Sequence, residues 1–449
     1  MPISSRISAL LIVVASCGFP RPADVRNDAA PDAPDDASAD TPADVPDEPG
    51  VTVHVSGTGA DANDGLTQPV KTLKRAIGIA AANSQITTIV VASGRYDTAS
   101  GETFPYTVPA NIAIRGPAGG GVILVGTNAE PGLIIGAGKL RDLEFERFTV
   151  AVTGRGTAEL ANIRVRASGV ALRGEASSKL TVTGLDVTGA PGACATGVEL
   201  NADAELTITD FSSRALGISV SANDQSALLA SNANITGDST CILEPFGVFT
   251  IATGNTFSLT ESLIDGGNHG IYFGSRTGPT RATLTNTTLR NIKRGAILGS
   301  NVLAQMTGGG FVNNATALGT DAGNWTLTNV SFTQQRGFTV ELGSGGIFVM
   351  RGCTMKNNSG GIYLFGNTAL DLGTTASPGN NTFQNGDGIA GLDVDLGTIC
   401  TSVISASGNT WRPRIQEADA DGHYTARLIP GPTVRDENFA LSANCMLQL

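Results

Sequence analysis

The sequence predicts an all-β fold: a single-stranded parallel β-helix, or solenoid, closed at its amino end by one capping α-helix. Three observations predict it. The 449 residues include 57 glycines, only 5% aromatic and only 15% charged residues, which suits repetitive β structure better than a mixed α/β chain. Five consecutive segments repeat: "SLTESLIDGGNHGIYF", "TLTNTTLRNIKRGAIL", "QMTGGGFVNNATALG", "TLTNVSFTQQRGFTV" and "VMRGCTMKNNSGGIYL". They begin at 258, 283, 305, 326 and 349, in steps of 25, 22, 21 and 23 residues. A single amphipathic helical pattern, "PVKTLKRAIGIAAAN", stands ahead of them all.

Residues 1–16 read as a signal peptide. Arg6 precedes the apolar run "ISALLIVVA", too short to span a bilayer. It ends in Val14, Ala15, Ser16 and Cys17, which resembles the bacterial lipoprotein cleavage box. That resemblance implies cleavage before Cys17 and acylation of it. Each buried methylene contributes about 0.8 kcal/mol, so several acyl chains would hold the chain firmly to a membrane. An ordinary secretory signal with a chance cysteine is the bland alternative. Gly18 follows, without an aspartate to suggest inner-membrane retention. The expected address is the bacterial envelope, as a surface-exposed outer-membrane lipoprotein.

Residues 17–50 form an acidic Pro/Ala/Asp-rich tether. From 21 to 50 there are nine acidic residues, six prolines and two arginines, with too little to bury to offset the entropy of ordering. This stretch carries most of the net charge of −11. The mildly acidic remainder gives no basis for binding nucleic acid. The lipid anchor is the expected membrane contact, and the chain is expected to be a monomer.

Residues 51–125 are the N-terminal cap and first coils. An open solenoid end exposes unpaired backbone and apolar core. Val70, Leu73, Ile77 and Ala80 line one side of the helical pattern and Lys71, Lys74 and Arg75 the other. Pro69 suits the first helical turn and Asn83 the stop. Residues 126–410 are the β-helix. Ile264, Leu289, Phe311, Phe332 and Met355 share one inward column, and Ser262, Thr287, Val330 and Cys353 lie two residues earlier. Asn291, Asn313, Gln334 and Asn357 follow; coils stacked about 4.8 Å apart would join such amides in a hydrogen-bonded ladder. Asp265 and Arg290 share an outward column on adjacent coils, as a surface ion pair.

The stretches "VHVSGTGADANDGLTQPVKTLKRAI" and "TIVVASGRYDTASGETFPYTVPANIAIRG" resemble an uncharacterised family, domain of unknown function 1565. That family opens right-handed parallel β-helices of the pectin-lyase-like superfamily. The resemblance implies a right-handed coil and no particular chemistry. Val70 stands where the family has an aromatic residue.

Many pectin-lyase-like relatives cleave acidic polysaccharides. Their hydrolase pattern would run Asn-x-Asp, Asp-Asp, Gly-His-Gly, Arg-x-Lys; this chain offers only "NHG" at 268–270 and "RNIKR" at 290–294. Lys356 and Arg290 lack the carboxylate cluster that elimination needs, and His269 reads as a turn residue. In "QNGDGIAGLDVDLG", alternation sets Asp393 and Asp395 side by side about 7 Å apart, with Asp387 near a turn. These three are the candidate ligand or calcium residues; no cofactor is otherwise expected. Asp61 and Asp64 mimic part of a calcium loop but lack its glutamate, and read as a turn. Tyr272 and Tyr363, four coils and about 19 Å apart, could stack on sugar rings.

Residues 411–449 lose the repeat and are expected to cover the last coil. Cys400 and Cys445 are the favoured disulfide, Cys194 and Cys241 a second candidate pair, and Cys353 a buried free thiol. The reading is a surface-anchored lipoprotein presenting a rigid β-helix toward polysaccharide. The alternative is a lyase or glycoside hydrolase of uronate-containing polymers.

Overall fold

Apolar residues at every second position, interrupted by residues that tolerate left-handed backbone, set the path of this chain. The computed structural model describes residues 50–385 apart from 191, 224, 239, 242–247, 253, 275–278 and 365. Beyond these it describes 394–395, 403–411 and the strands His423–Thr425, Val434–Arg435, Phe439–Leu441 and Met446–Gln448.

Each turn of the right-handed parallel β-helix lays down three strands. Thr256–Thr260, Leu263–Gly266 and His269–Phe273 make one turn and supply its first, second and third faces. Earlier turns fuse the first two: Lys179–Thr188 and Glu205–Leu216 run around the corner as single strands. The described strands therefore form two sheets, one of 27 strands over two faces and one of 15 on the third.

The register follows the repeat. Ser258 pairs with Thr283, Thr283 with Gln305, Gln305 with Thr326 and Thr326 with Val349. Ile264, Leu289, Phe311, Phe332 and Met355 pair rung to rung, none more than 1% exposed. The Phe311 and Phe332 rings stack at 5.0 Å and 11°. Full burial of side chains this large contributes about 1.5–3 kcal/mol each. The smaller column before them returns its polar atoms to the backbone. Ser262 Oγ donates to Thr260 O at 2.7 Å and Thr287 Oγ1 to Leu259 O at 3.1 Å. Cys353 is a buried free thiol, its pKa raised by that burial.

The corner between first and second faces is one left-handed residue per turn. Asp142 (φ 57°), Asn162 (52°), Asp210 (58°), Asn232 (51°), Asn286 (49°) and Asn329 (56°) occupy it. Asparagine and aspartate accept this conformation more readily than other side chains. Glu261, at φ 50°, is an exception.

The cap is helix α1, Leu73–Ala82, with Thr72 as N-cap and Asn83 as C-cap. Pro69 is therefore not in its first turn. Val70 forms a β-bridge with Val55, which keeps that stretch extended and delays the helix to Leu73. Leu73, Ala76, Ile77 and Ala80 are buried against Val51–Val55, Ile86–Val91 and Tyr106–Val108.

At the other end the tail adds strands rather than only a cover. Met446–Gln448 extends the first face parallel to Val403–Ala406, and Phe439–Leu441 extends the third parallel to Val394–Asp395. His423–Thr425 and Val434–Arg435 then pair with them antiparallel, which breaks the pattern a further parallel coil would copy. The disulfide joins Cys194 to Cys241, with Cα atoms 5.4 Å apart. Cys17, Cys400 and Cys445 lie outside the described residues.

Candidate functional site

Two surfaces gather chemistry that the linear sequence separates. The first is a row on the third face. Tyr272 pairs with Leu298, Leu298 with Gly319, Gly319 with Glu341, Glu341 with Tyr363, and Tyr363 with Asp395. The strand neighbours of Tyr272, Leu298, Gly319, Glu341 and Tyr363 face the core, so alternation turns these five outward. Four rungs separate the tyrosines, about 19 Å. Phe338 stacks on Tyr363 at 4.5 Å and 16° and stays 37% exposed. Glu341 Oε1, on the rung below Tyr363, accepts from Thr316 Oγ1 at 3.2 Å. Phe338 is not among the residues that the repeat pattern marks; its signal is its place about one period before Tyr363.

The second surface is a cleft of about 500 Å³ at the corner between first and second faces. Glu144, Arg164, Asp186 and Ser212 follow one another there on successive rungs. Asp142, Asn162 and Asp210 supply the corner, and Gly119, Gly120 and Gly121 the wall. Those glycines have φ of 91°, 90° and 101°, a backbone that side chains disfavour. Arg166 pairs with Glu144 at 2.7 Å, Arg141 with Asp142 at 3.4 Å and Arg214 with Asp186 at 3.9 Å. Asn162 Nδ2 donates to Asp142 Oδ1 at 2.9 Å. Each of these residues looks like an ordinary outward charge on its own strand, and register alone brings them together.

The acidic residues near the cap serve the fold. Asp61 Oδ1 accepts from the backbone N–H of Lys71 at 3.0 Å and of Thr72 at 2.8 Å. Asp64 Oδ1 accepts from Leu66 and Thr67 N–H at 2.9 Å each. The Thr67 N–H and hydroxyl, with Gln68 and Leu66 N–H, hold the Asp64 carboxyl down to about 2. The loop is thereby pinned to the start of α1.

Asn291, Asn313, Gln334 and Asn357 all take left-handed backbone, φ 54° to 58°. Asn313 Nδ2 donates to Asn291 Oδ1 at 2.9 Å, and Asn291 Nδ2 to Asp265 Oδ1 at 2.7 Å. The buried ladder runs one residue later, through Asn314, Gln335, Asn358 and Asn385, each at most 1% exposed. Ile292 N donates to Asn314 Oδ1 at 2.9 Å, Asn314 N to Gln335 Oε1 at 3.1 Å and Gln335 N to Asn358 Oδ1 at 2.9 Å. Arg290 Nη2 meets Asp265 Oδ2 at 2.8 Å, Lys356 is exposed, and His269 opens a strand, only 8% exposed. Asp387 and Asp393 lie outside the described residues, and Asp395 is described in its backbone alone. Among the described residues no group of three or more His, Cys, Asp or Glu could hold a metal ion. No described helix is long and apolar enough to cross a membrane.

Residues 57–237 match the family model described as a protein of unknown function, DUF1565, and residues 246–402 match the right handed beta helix region. The first match runs well past the capping segment that carries the motifs. No curated protein sequence matches the chain. Among solved structures it is similar to the catalytic domain of a GH87 alpha-1,3-glucanase in complex with nigerose. There the identity is 13% and the TM-score 0.48, over 76% of this chain and 67% of that one. It is also similar to the catalytic unit of a thermostable GH87 alpha-1,3-glucanase from Streptomyces thermodiastaticus strain HF3-3. That comparison gives 14% identity and a TM-score of 0.48, over 75% of this chain and 65% of that one.

Proposed function

We propose that this chain is an envelope lipoprotein, held by acylated Cys17 and the acidic tether at 17–50, that presents its β-helix to polysaccharide. The supporting observation is the third-face row, where Tyr272 and the Tyr363–Phe338 stack stand on one register line. Aromatic faces at a fixed spacing on a rigid sheet suit sugar rings of an extended glycan, because the apolar side of a ring stacks on them. The backbone ladder holds that spacing without ordering cost at binding.

A polysaccharide microarray probed with the full chain carrying Cys17→Ser tests the reading. Binding to at least one polymer is expected, and a blank array contradicts it. The anchor is tested by fractionation: the wild-type chain should follow outer membranes, and Cys17→Ser should leave the outer-membrane fraction. Release of reducing ends, or of unsaturated uronates, from any polymer would instead favour a hydrolase or a lyase.

A further inference from the structure

We infer that the corner cleft is a second binding site, separate from the tyrosine row, for an uncharged hydroxyl-rich saccharide of one or two units. Its volume, about 500 Å³, lies within the range of small-ligand pockets. A polymer lying along the third face would not fill it.

The lining chooses the chemistry. Asp142, Glu144, Asp186 and Asp210 are met by Arg164 inside the cleft and by Arg141, Arg166 and Arg214 against its carboxylates. Four acids and four guanidiniums carry no net charge, so neither a cationic nor an anionic ligand gains from overall charge. An anion seeking Arg164 would also sit between Glu144 and Asp186, its neighbours on either rung, and be repelled by both.

Arg164 and Asp186 are adjacent in register yet make no ion pair with each other among the described residues. Arg164 leans instead toward the glycine wall, its Nη1 lying 3.6 Å from where a Cβ on Gly120 would be. Asp186 Oδ1 is closed to water, so a ligand meets the carboxylate through its Oδ2 edge, where the side chain is 35% exposed and Arg214 Nη2 stands back at 3.9 Å. A guanidinium supplies only donors and a carboxylate only acceptors. A sugar hydroxyl is both, so neighbouring hydroxyls of one ring can accept from Arg164 while donating to Asp186. Ser212, on the next rung, adds a third contact of either sense.

The test uses the full chain carrying Cys17→Ser and saturation-transfer NMR with five probes: maltose, mannobiose, lactose, digalacturonate and diglucosamine. At least one neutral disaccharide is expected to bind, and neither charged one. Arg164→Met and the isosteric Asp186→Asn should each weaken it at least about tenfold, and Ser212→Ala about two- to fivefold, with unchanged thermal melting. Tyr272→Ala with Tyr363→Ala should leave it unaltered. The inference is overturned if no neutral disaccharide binds, if a charged one binds as well, or if folded cleft variants bind like wild type. Loss of disaccharide binding in the tyrosine variant would also overturn it, by moving the ligand to the row. A blank polymer array beside intact disaccharide binding would remove the tyrosine reading alone.

Discussion

Glu102 shows how one side chain fastens the cap. Only 1% exposed, it accepts from Leu73 N–H at 2.7 Å, Lys74 N–H at 3.3 Å and the Tyr106 hydroxyl at 2.6 Å. It therefore serves the unsatisfied amides that open α1. Burial raises its pKa above the ordinary 4.5, against the pull of those three hydrogen bonds. The native state thus holds this proton more tightly than the unfolded chain. Its contribution to stability is complete below pH 4.5 and is lost as pH rises through the raised value. Glu102→Ala should cost about 1–3 kcal/mol in urea denaturation near pH 4, where that contribution is complete, and less at neutral pH. It should also remove that part of the pH dependence; parallel wild-type and variant pH profiles would contradict the assignment. At the corner, Glu261 holds φ 50° where most turns use asparagine, aspartate or glycine. Glu261→Asn should stabilise the protein by up to about 1 kcal/mol, and a lower melting temperature would refute the strain.

Among the elements, the amide ladder separates what the sequence reveals from what it hides. Its recurrence is legible: "NN", "QQ" and "NN" at 313–314, 334–335 and 357–358 repeat at the coil period. The sequence alone does not say which member of each pair points inward. The first takes the left-handed turn, so the ladder falls on the second. Asn358 Nδ2 also donates to Phe332 O at 3.1 Å and Asn385 Oδ1 at 2.8 Å. Asn358→Ala should cost about 1–3 kcal/mol. Asn357→Gly keeps the turn and should stay within about 0.5 kcal/mol; equal losses in thermal denaturation would place the ladder wrongly. The cap was legible in its apolar face but not in its start, because the Val55–Val70 bridge is a long-range pairing. The Cys194–Cys241 bridge spans 47 residues of sequence. Removing it with serines should cost about 4 kcal/mol in the chain-entropy account, and a loss under about 1 kcal/mol would contradict that account.

For the whole molecule, the fold is readable because the same inward column recurs every turn, so Ile264 to Met355 announce the stack by themselves. Function is harder to read because it lies across the turns. Tyr272 and Tyr363 could be matched by position in their repeats. Phe338, Arg164 and Asp186 acquire meaning only when coils are superposed. A solenoid distributes a binding surface over residues far apart in sequence and close in register. The proposed glycan contact therefore stands or falls with the tyrosine row. Affinity electrophoresis through gels containing a polymer positive on the array measures this directly, comparing wild type with the Tyr272→Ala, Tyr363→Ala double variant. Two stacking platforms at about 1 kcal/mol each predict roughly 30-fold weaker retardation in the double variant. Equal retardation of the two folded proteins would contradict the account.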